Sequence, residues 1–179
     1  MLGVSLVLVA ITCGPSRAQV PPAPAAAARA ADLRARAEQG DAGAQLELGL
    51  KYAIGQGVPR DYAQAAAWYR KAAEQGKALA QLNLGWCYAS GLGVPLDLAE
   101  AAGWYRKAAE QGEAAAQVKL GSLYAAGDGV QKDEAEAAAW FRRAADQGDA
   151  AGQLRLGLAL ANGRGVPKDE PRAVAMFRA

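Results

Sequence analysis

The sequence predicts an all-α protein in which short helices form pairs and the pairs stack into a solenoid. Three observations support this prediction. The stretch "YAIGQGVPRD" at residues 52–61 returns in related form at residues 88–97, 124–133 and 160–169, each time after 36 residues. Within every copy, apolar residues recur with the period of an amphipathic helix. Glycine residues interrupt each copy near its middle, where a helix would have to end.

Aligned at this period, the chain divides into four units. They are residues 41–76, 77–112, 113–148 and 149–179, and the fourth stops five residues short of the full period. The recurring columns are glycine at 49, 85, 121 and 157, glutamine at 45, 81, 117 and 153, and tryptophan at 68, 104 and 140 with Met176 in the fourth place. We expect the last helix of the fourth unit to fray or to be covered by a partner. Four evenly spaced glycine pairs also indicate structural turns, because a nucleotide loop is normally a single feature that follows a strand.

Each unit is predicted to contain two helices, which we name helix A and helix B. Helix A of the first unit runs from about Ala42 to Ile54, and the Gly55–Pro59 segment ends it. Asp61 is the expected N-cap of helix B, which continues to about Glu74. Helices of this length are marginal alone in water, so stacking has to hold them. We expect the tryptophan column to anchor the stack, and the glutamine column to form one inter-helix hydrogen bond per unit.

The N-terminal residues predict export from the cytoplasm. An apolar run from Leu2 to Ile11 is too short to span a bilayer comfortably, and Ala18 ends a small-residue cleavage signal. Residues 1–18 are therefore interpreted as a signal peptide, with a periplasmic or secreted mature protein. The alternative is a lipoprotein signal with acylation at Cys13. Residues 19–24 form a Pro/Ala spacer, and residues 25–40 form a polar capping helix with Asp32 in the tryptophan column.

Composition excludes several classes of function. The chain has 20 Lys and Arg residues against 18 Asp and Glu residues, so a nucleic acid is not expected as a partner. Histidine is absent, which excludes His-dependent catalysis and His-ligated metal sites. Asp128 and Asp133 lack the ligand spacing of a calcium loop. Cys87 lies within a helix A and is expected to be an inert thiol. We therefore expect no metal, no cofactor and no catalytic residue.

The repeated pattern "AQLxLGxxYxxGxGVxxDxxxAAxWYRKAAEQGxA" resembles the Sel-1-like repeats, which are related to the tetratricopeptide repeats. The resemblance covers residues 41–179 and the helix before them. It implies a right-handed α/α solenoid that works as a non-enzymatic adaptor for other proteins. Bacterial members are often exported, and some of them act in the cell envelope. The adaptor role implies an unidentified protein or peptide as partner.

A second class of function stays open as the alternative, an envelope hydrolase that acts on a cell-wall or β-lactam substrate. A cysteine-rich branch of the family has been linked to β-lactam binding and hydrolysis. Its repeats carry paired cysteines, whereas Cys87 is the single cysteine in the repeats of this chain. That activity is therefore not carried over.

The partner-binding residues are predicted from the helix A positions that differ between units. Positions that recur are expected to pack, while those that vary fall on the opposite side of the helix. In tetratricopeptide-like solenoids the A helices line the concave groove. The predicted partner-binding residues are Glu47, Leu50, Lys51, Asn83, Trp86, Lys119, Arg155 and Leu158. This prediction would fail if Trp86 were buried between helices. The basic pairs such as Arg70 and Lys71 are instead expected to form a solvated face that pairs weakly with Glu74.

Overall fold

A computed structural model describes residues 24–178, which form nine α-helices and no strand. The helices are α1 (Pro24–Glu38), α2 (Ala42–Ile54), α3 (Tyr62–Glu74), α4 (Ala78–Ser90), α5 (Leu98–Glu110), α6 (Ala114–Ala126), α7 (Glu134–Asp146), α8 (Ala150–Asn162) and α9 (Glu170–Arg178). Helices α2, α4, α6 and α8 are the A helices, and α3, α5, α7 and α9 are the B helices. Each helix packs against the next one in the chain, so the fold is an all-α helical repeat solenoid. The predicted bounds of the first helix A and the end of the first helix B are confirmed.

The predicted N-terminal features fall partly outside the described residues. The signal peptide and Cys13 lie wholly outside them, as does nearly all of the spacer. Helix α1 begins at Pro24, one residue before the predicted boundary of the capping helix. Its Leu33 and Ala37 are buried against Ala44 and Leu48 of α2.

Two glycines shape the turn inside each unit. The first ends helix A in the left-handed conformation: Gly55 has φ 74° and its N–H donates to the Lys51 carbonyl at 2.8 Å. The second lies against the first turn of helix B in the preceding unit. A Cβ on Gly93 would stand 2.0 Å from the Tyr62 carbonyl oxygen, and Gly129 and Gly165 show the same close approach to Leu98 and Glu134. We name Gly93, Gly129 and Gly165 the glycine seats.

Aspartate caps begin most of the helices. Asp61 accepts hydrogen bonds from the N–H groups of Ala63 and Gln64 at 2.9 and 3.0 Å, as predicted for the N-cap of helix B. Asp97 and Asp133 do the same in the next two units. Among the A helices, Asp41 and Asp149 make side-chain caps, whereas Lys77 and Glu113 at the same position make none.

The glycine column of helix A makes room for an aromatic ring of helix B. A Cβ on Gly121 would lie 2.7 Å from the Phe141 ring, and Gly49 and Gly85 meet Tyr69 and Tyr105 at similar distances. The helices of one unit can therefore approach closely only because these positions lack a side chain.

The tryptophan column packs between units, as predicted. Trp68 on α3 lies in a cluster with Leu33 and Ala37 of α1 and with Leu48 of α2. Trp140 on α7 packs into the core of the second and third units. Trp68 and Trp140 are buried and Trp104 is half-buried. Burial of these indoles supplies much of the apolar contact that holds neighbouring units together.

Three of the four residues in the glutamine column form the predicted inter-helix hydrogen bonds, and each of these amides has a second partner. Within residues 24–178, the half-buried Gln153 makes no side-chain hydrogen bond. Gln81 Nε2 donates to the Ala73 carbonyl at 3.1 Å, and its Oε1 accepts from Gln111 Nε2 at 2.7 Å. The buried amide thus joins α4 to helix B of its own unit and of the preceding unit. The same arrangement recurs at Gln45 and Gln117. We name these linked amides the glutamine ladder.

The basic residues Arg70 and Lys71 are exposed, as predicted, but their partners differ from the prediction. Lys71 lies over the Trp68 ring, with Nζ 4.0 Å from the centroid, and Arg70 donates to the Tyr88 hydroxyl of the next unit. Within residues 24–178 the expected ion pair with Glu74 does not form, because both cations face aromatic side chains. Arg34 and Arg106 make the same bridge to Tyr52 and Tyr124. In the fourth unit Leu160 occupies the tyrosine position.

Candidate binding face of the A helices

The eight predicted partner-binding residues all lie on A helices, and none of them is buried. Lys51 and Asn83 are half-buried and the other six are exposed. Trp86 is 38% exposed, Leu50 41% and Leu158 45%. Trp86 is therefore not buried between helices, so the observation that would have excluded the prediction is not made. The role of these residues in binding stays a prediction. We name this exposed side of α2, α4, α6 and α8 the A face.

The N-terminal part of the A face is apolar. Leu50 and Ile54 of α2 and Leu79 and Trp86 of α4 are exposed large hydrophobic residues. The Trp86 ring lies 6.2 Å from the Tyr62 ring and is tilted by 59° to it. Because the indole packs against Tyr62 of α3, its orientation is restrained while part of it stays exposed to solvent.

The C-terminal part of the A face contains a cleft between α6, α7 and α8 with a volume of about 430 Å³. Ala137, Ala138 and Phe141 of α7 lie in it, and Ser122 lies on the α6 side. The predicted residues Arg155 and Leu158 line the α8 side, together with Asn162, while Glu134 and Arg164 complete the lining. We name this opening the α6–α8 cleft.

Arg164 was missed by the sequence prediction. It lies in the turn after α8, and only helix A positions were compared between units. Its column does vary, since the equivalent residues are Gln56, Leu92 and Asp128. A comparison that extended into the turns would have included it.

A second opening lies between α1 and α2, with a volume of about 720 Å³. Glu47 and Lys51 line it, together with Arg29, Leu33 and Arg34. Glu47 and Lys51 also form an ion pair at 3.6 Å, one helical turn apart. The structure therefore separates six of the eight predicted residues into this opening, the apolar part around Leu50 and Trp86, and the α6–α8 cleft. The other two, Asn83 on α4 and Lys119 on α6, line neither opening.

One of the columns that vary between units, the column of Lys51, contains buried residues. Cys87 and Ala159 occupy the position of Lys51 in later units, and both are buried. Cys87 lies within the core formed by α3 and α4, and burial raises the pKa of its thiol to about 11. The prediction of an inert thiol is consistent with this environment. Variation in this column therefore reflects core packing in the second and fourth units.

The described part of the chain shows neither a metal cluster nor a membrane span. In residues 24–178, no group of three or more His, Cys, Asp or Glu side chains is placed to hold a metal ion. None of the helices over the same range combines the length and the apolar character needed to cross a membrane.

Comparison with known proteins identifies the repeats. The family model described as "Sel1 repeat" matches residues 42–77, 78–113, 114–149 and 150–179. A comparison with curated proteins gives no match.

Three solved structures are similar to this chain. The first is c5321, described as a protective antigen of uropathogenic Escherichia coli strains with an SLR fold. It is 45% identical to this chain with a TM-score of 0.80, and the match covers 83% of this chain and 32% of c5321. The second is a Sel1 repeat protein from Oxalobacter formigenes, at 44% identity and TM-score 0.78 over 83% and 61% of the two chains. Helicobacter pylori cysteine rich protein B is 30% identical, with a TM-score of 0.53 over 69% and 89%.

The chain spans about a third of the length of c5321 and less than two thirds of the Oxalobacter protein. Sel1 repeats are generally protein-interaction scaffolds. With four matched repeats across residues 42–179 and a shared helical solenoid, the chain belongs to the Sel1 repeat family.

Proposed function

We propose that the protein is a non-enzymatic scaffold that binds a segment of another protein along the A face. One observation carries this proposal: the eight predicted residues differ between the repeats and none of them is buried, whereas the recurring residues Gln45, Gln81, Gln117, Trp68 and Trp140 and the glycine column of helix A are buried. The buried residues that recur give each unit the same fold, and the exposed residues that vary give each unit a different surface for contact with a partner.

The side chains on the A face suit peptide recognition. Trp and Arg are the residue types most often found as binding hot spots, and Trp86 and Arg155 represent them here. Trp86 is restrained by its contact with Tyr62, so little side-chain entropy is lost when a ligand packs on it. The glutamine ladder and the glycine seats hold the A helices in register, which preorganises the face.

The hydrolase alternative would need an accessible nucleophile. The Cys87 thiol is buried and its pKa is raised to about 11, so thiolate chemistry at neutral pH is disfavoured. The binding function is therefore the better supported of the two.

We propose that this scaffold lies in the cell envelope, because the apolar Leu2–Ile11 run and the small-residue site ending at Ala18 are typical of an export signal. Mass spectrometry of the mature N-terminus tests this placement. A chain that begins at Gln19 supports plain export, and an acylated Cys13 supports a lipid anchor. A mature protein that retains Met1 would contradict both.

Selection from a library of random displayed peptides tests the binding function. The selected peptides are then measured by fluorescence anisotropy against the native protein and a face variant with Trp86→Ala, Lys119→Glu and Arg155→Glu. We expect enriched peptides to bind the native protein and to lose at least about tenfold in affinity in the face variant, because a hot-spot truncation costs about 2 kcal/mol or more.

A matched control variant carries Leu96→Ala, Lys77→Glu and Arg142→Glu, which are exposed residues outside the predicted partner-binding set. It makes the same change in charge and also truncates one exposed apolar side chain. It should bind the selected peptides as the native protein does. The proposal is wrong if no peptide is enriched, or if both variants bind equally well while keeping native helical circular dichroism.

A further inference from the structure

The α6–α8 cleft differs from the equivalent positions in the other units by its charge. Arg155 and Arg164 line it on the α8 side. Between α2 and α4 the equivalent residues are Asn83 and Leu92, and between α4 and α6 they are Lys119 and Asp128. Two cations therefore come together at one of the three junctions between successive A helices.

The two arginines are available for a ligand. Glu134 is the carboxylate in the lining, and it pairs with Lys132 at 3.4 Å. Within residues 24–178, Arg155 and Arg164 form no ion pair, and both are exposed. An incoming carboxylate would thus meet two guanidinium groups that do not have to break an existing ion pair.

The interior of the cleft is apolar and open. Phe141, Ala137 and Ala138 lie between the two A helices. Leu158 occupies the position that Trp86 holds in the second unit, where the indole packs beside Tyr62. The cleft that Leu158 lines has a volume of about 430 Å³, within the usual range of about 300–1,000 Å³ for ligand pockets.

We propose that the α6–α8 cleft binds a peptide segment in which an apolar side chain stands next to an Asp or Glu side chain. The apolar side chain packs on the exposed Leu158, above the buried Phe141 at the base of the cleft, and the neighbouring carboxylate accepts charge-assisted hydrogen bonds from Arg155 and Arg164. This assignment rests on the proposed function, because it specifies what one part of the A face recognises.

Fluorescence anisotropy with four defined peptides tests the assignment. They are short, acetylated and amidated peptides of one Gly/Ser background that differ only in a central pair: Leu-Asp, Leu-Asn, Leu-Lys or Ser-Asp. We expect the Leu-Asp peptide to bind at least about tenfold more tightly than each of the others. A tenfold difference in Kd corresponds to about 1.4 kcal/mol, which the loss of one charge-assisted hydrogen bond or of one buried leucine side chain is sufficient to produce.

Three variants locate the binding in the cleft. Arg155→Glu should weaken Leu-Asp binding by at least about tenfold and should weaken Leu-Lys binding less. Leu158→Trp places in the fourth unit the residue that Trp86 provides in the second, and it should block the Leu-Asp peptide by filling the cleft. Arg142→Glu makes an equal change in charge on α7 outside the cleft lining and should leave the affinity unchanged.

Outcomes against the inference can be told apart from failure of the proposed function. If Leu-Asn or Leu-Lys binds as tightly as Leu-Asp, or if Leu-Asp is indifferent to Arg155→Glu, the inference is wrong. It is also wrong if none of the four peptides binds. In each of these cases the library selection tests the proposed function independently. If it yields peptides of other chemistry whose binding depends on Trp86, the scaffold function is supported and only the inference about the cleft is wrong.

Discussion

Substitution of one glycine seat tests whether its close contact with the preceding unit contributes to stability. The cost of that contact has to be distinguished from the general cost of a non-glycine residue in the left-handed conformation. We choose Gly129→Ala, because Gly129 has φ +68° and a Cβ there would lie 2.2 Å from the Leu98 carbonyl carbon and 2.5 Å from the Ala99 nitrogen. These are backbone atoms in the first turn of α5, so they cannot move aside as a flexible side chain can. The new methyl group would have to push the turn away from the preceding unit.

The expected loss of stability has two parts. A non-glycine residue in the left-handed region costs about 1–2 kcal/mol. Overpacking against a fixed backbone adds about 1–3 kcal/mol. The total expected for Gly129→Ala is therefore about 2–5 kcal/mol. Gly112→Ala is the matched control, because Gly112 has φ +93° and its added Cβ would meet no atom within 4 Å.

Urea unfolding gives the free energy of unfolding of both variants. It is followed by circular dichroism at 222 nm, which reports helix content. We expect Gly112→Ala to lose about 1–2 kcal/mol and Gly129→Ala to lose clearly more. Equal losses would refute the reasoning, because they would mean that the contact between Gly129 and α5 does not restrict the packing of the second and third units.

Three further predictions concern the ladder, a helix cap and the buried thiol. Gln117→Leu removes the 3.1 Å bond to the Ala109 carbonyl and the 2.9 Å bond from Gln147, and should cost about 1–2 kcal/mol in urea unfolding; Gln147→Leu, which removes only one of the two ladder bonds, should cost less. Lys77→Asp should raise the free energy of unfolding by about 0.5–1 kcal/mol, because Lys77 makes no side-chain cap whereas Asp41 and Asp149 do at the same position; no gain would contradict the capping argument. For Cys87, burial raises the thiol pKa from 9.0 to about 11, so its contribution to stability is fully present below pH 9 and is lost as pH rises through about 11. Between pH 9 and 11 the free energy of unfolding should therefore depend less on pH in Cys87→Ala than in the native protein. Equal pH dependence would contradict the raised pKa of the Cys87 thiol.

The fold was predictable because its determinants are local and recur. Gly55 ends helix A and Asp61 begins helix B within the same short stretch, so the helix bounds could be read from neighbouring residues. The partners of Arg70 and Lys71 could not be read in this way. Arg70 reaches Tyr88, which is 18 residues away, and that contact depends on how two units stack.

The candidate site was predictable only in part. Variation between units identified exposed residues such as Trp86 and Arg155, but it did not show which of them share an opening. Glu47 and Arg155 occupy equivalent positions at opposite ends of the stack and line different openings. Variation also does not distinguish ligand contact from core packing, and for that reason the column of Lys51 includes the buried Cys87.

The tyrosine missing from the fourth unit affects the order in which the stack opens. Leu160 has no hydroxyl group, so the arginine–tyrosine bridge of the earlier units cannot form between α7 and α8. In a repeat protein, stability is approximately a sum of unit terms and nearest-neighbour terms, so a joint with fewer bonds opens first. The α6–α8 cleft spans this joint. A ligand in the cleft would therefore also hold the last unit closed, and slower amide hydrogen exchange in α8 and α9 would report that occupancy through thermodynamic linkage.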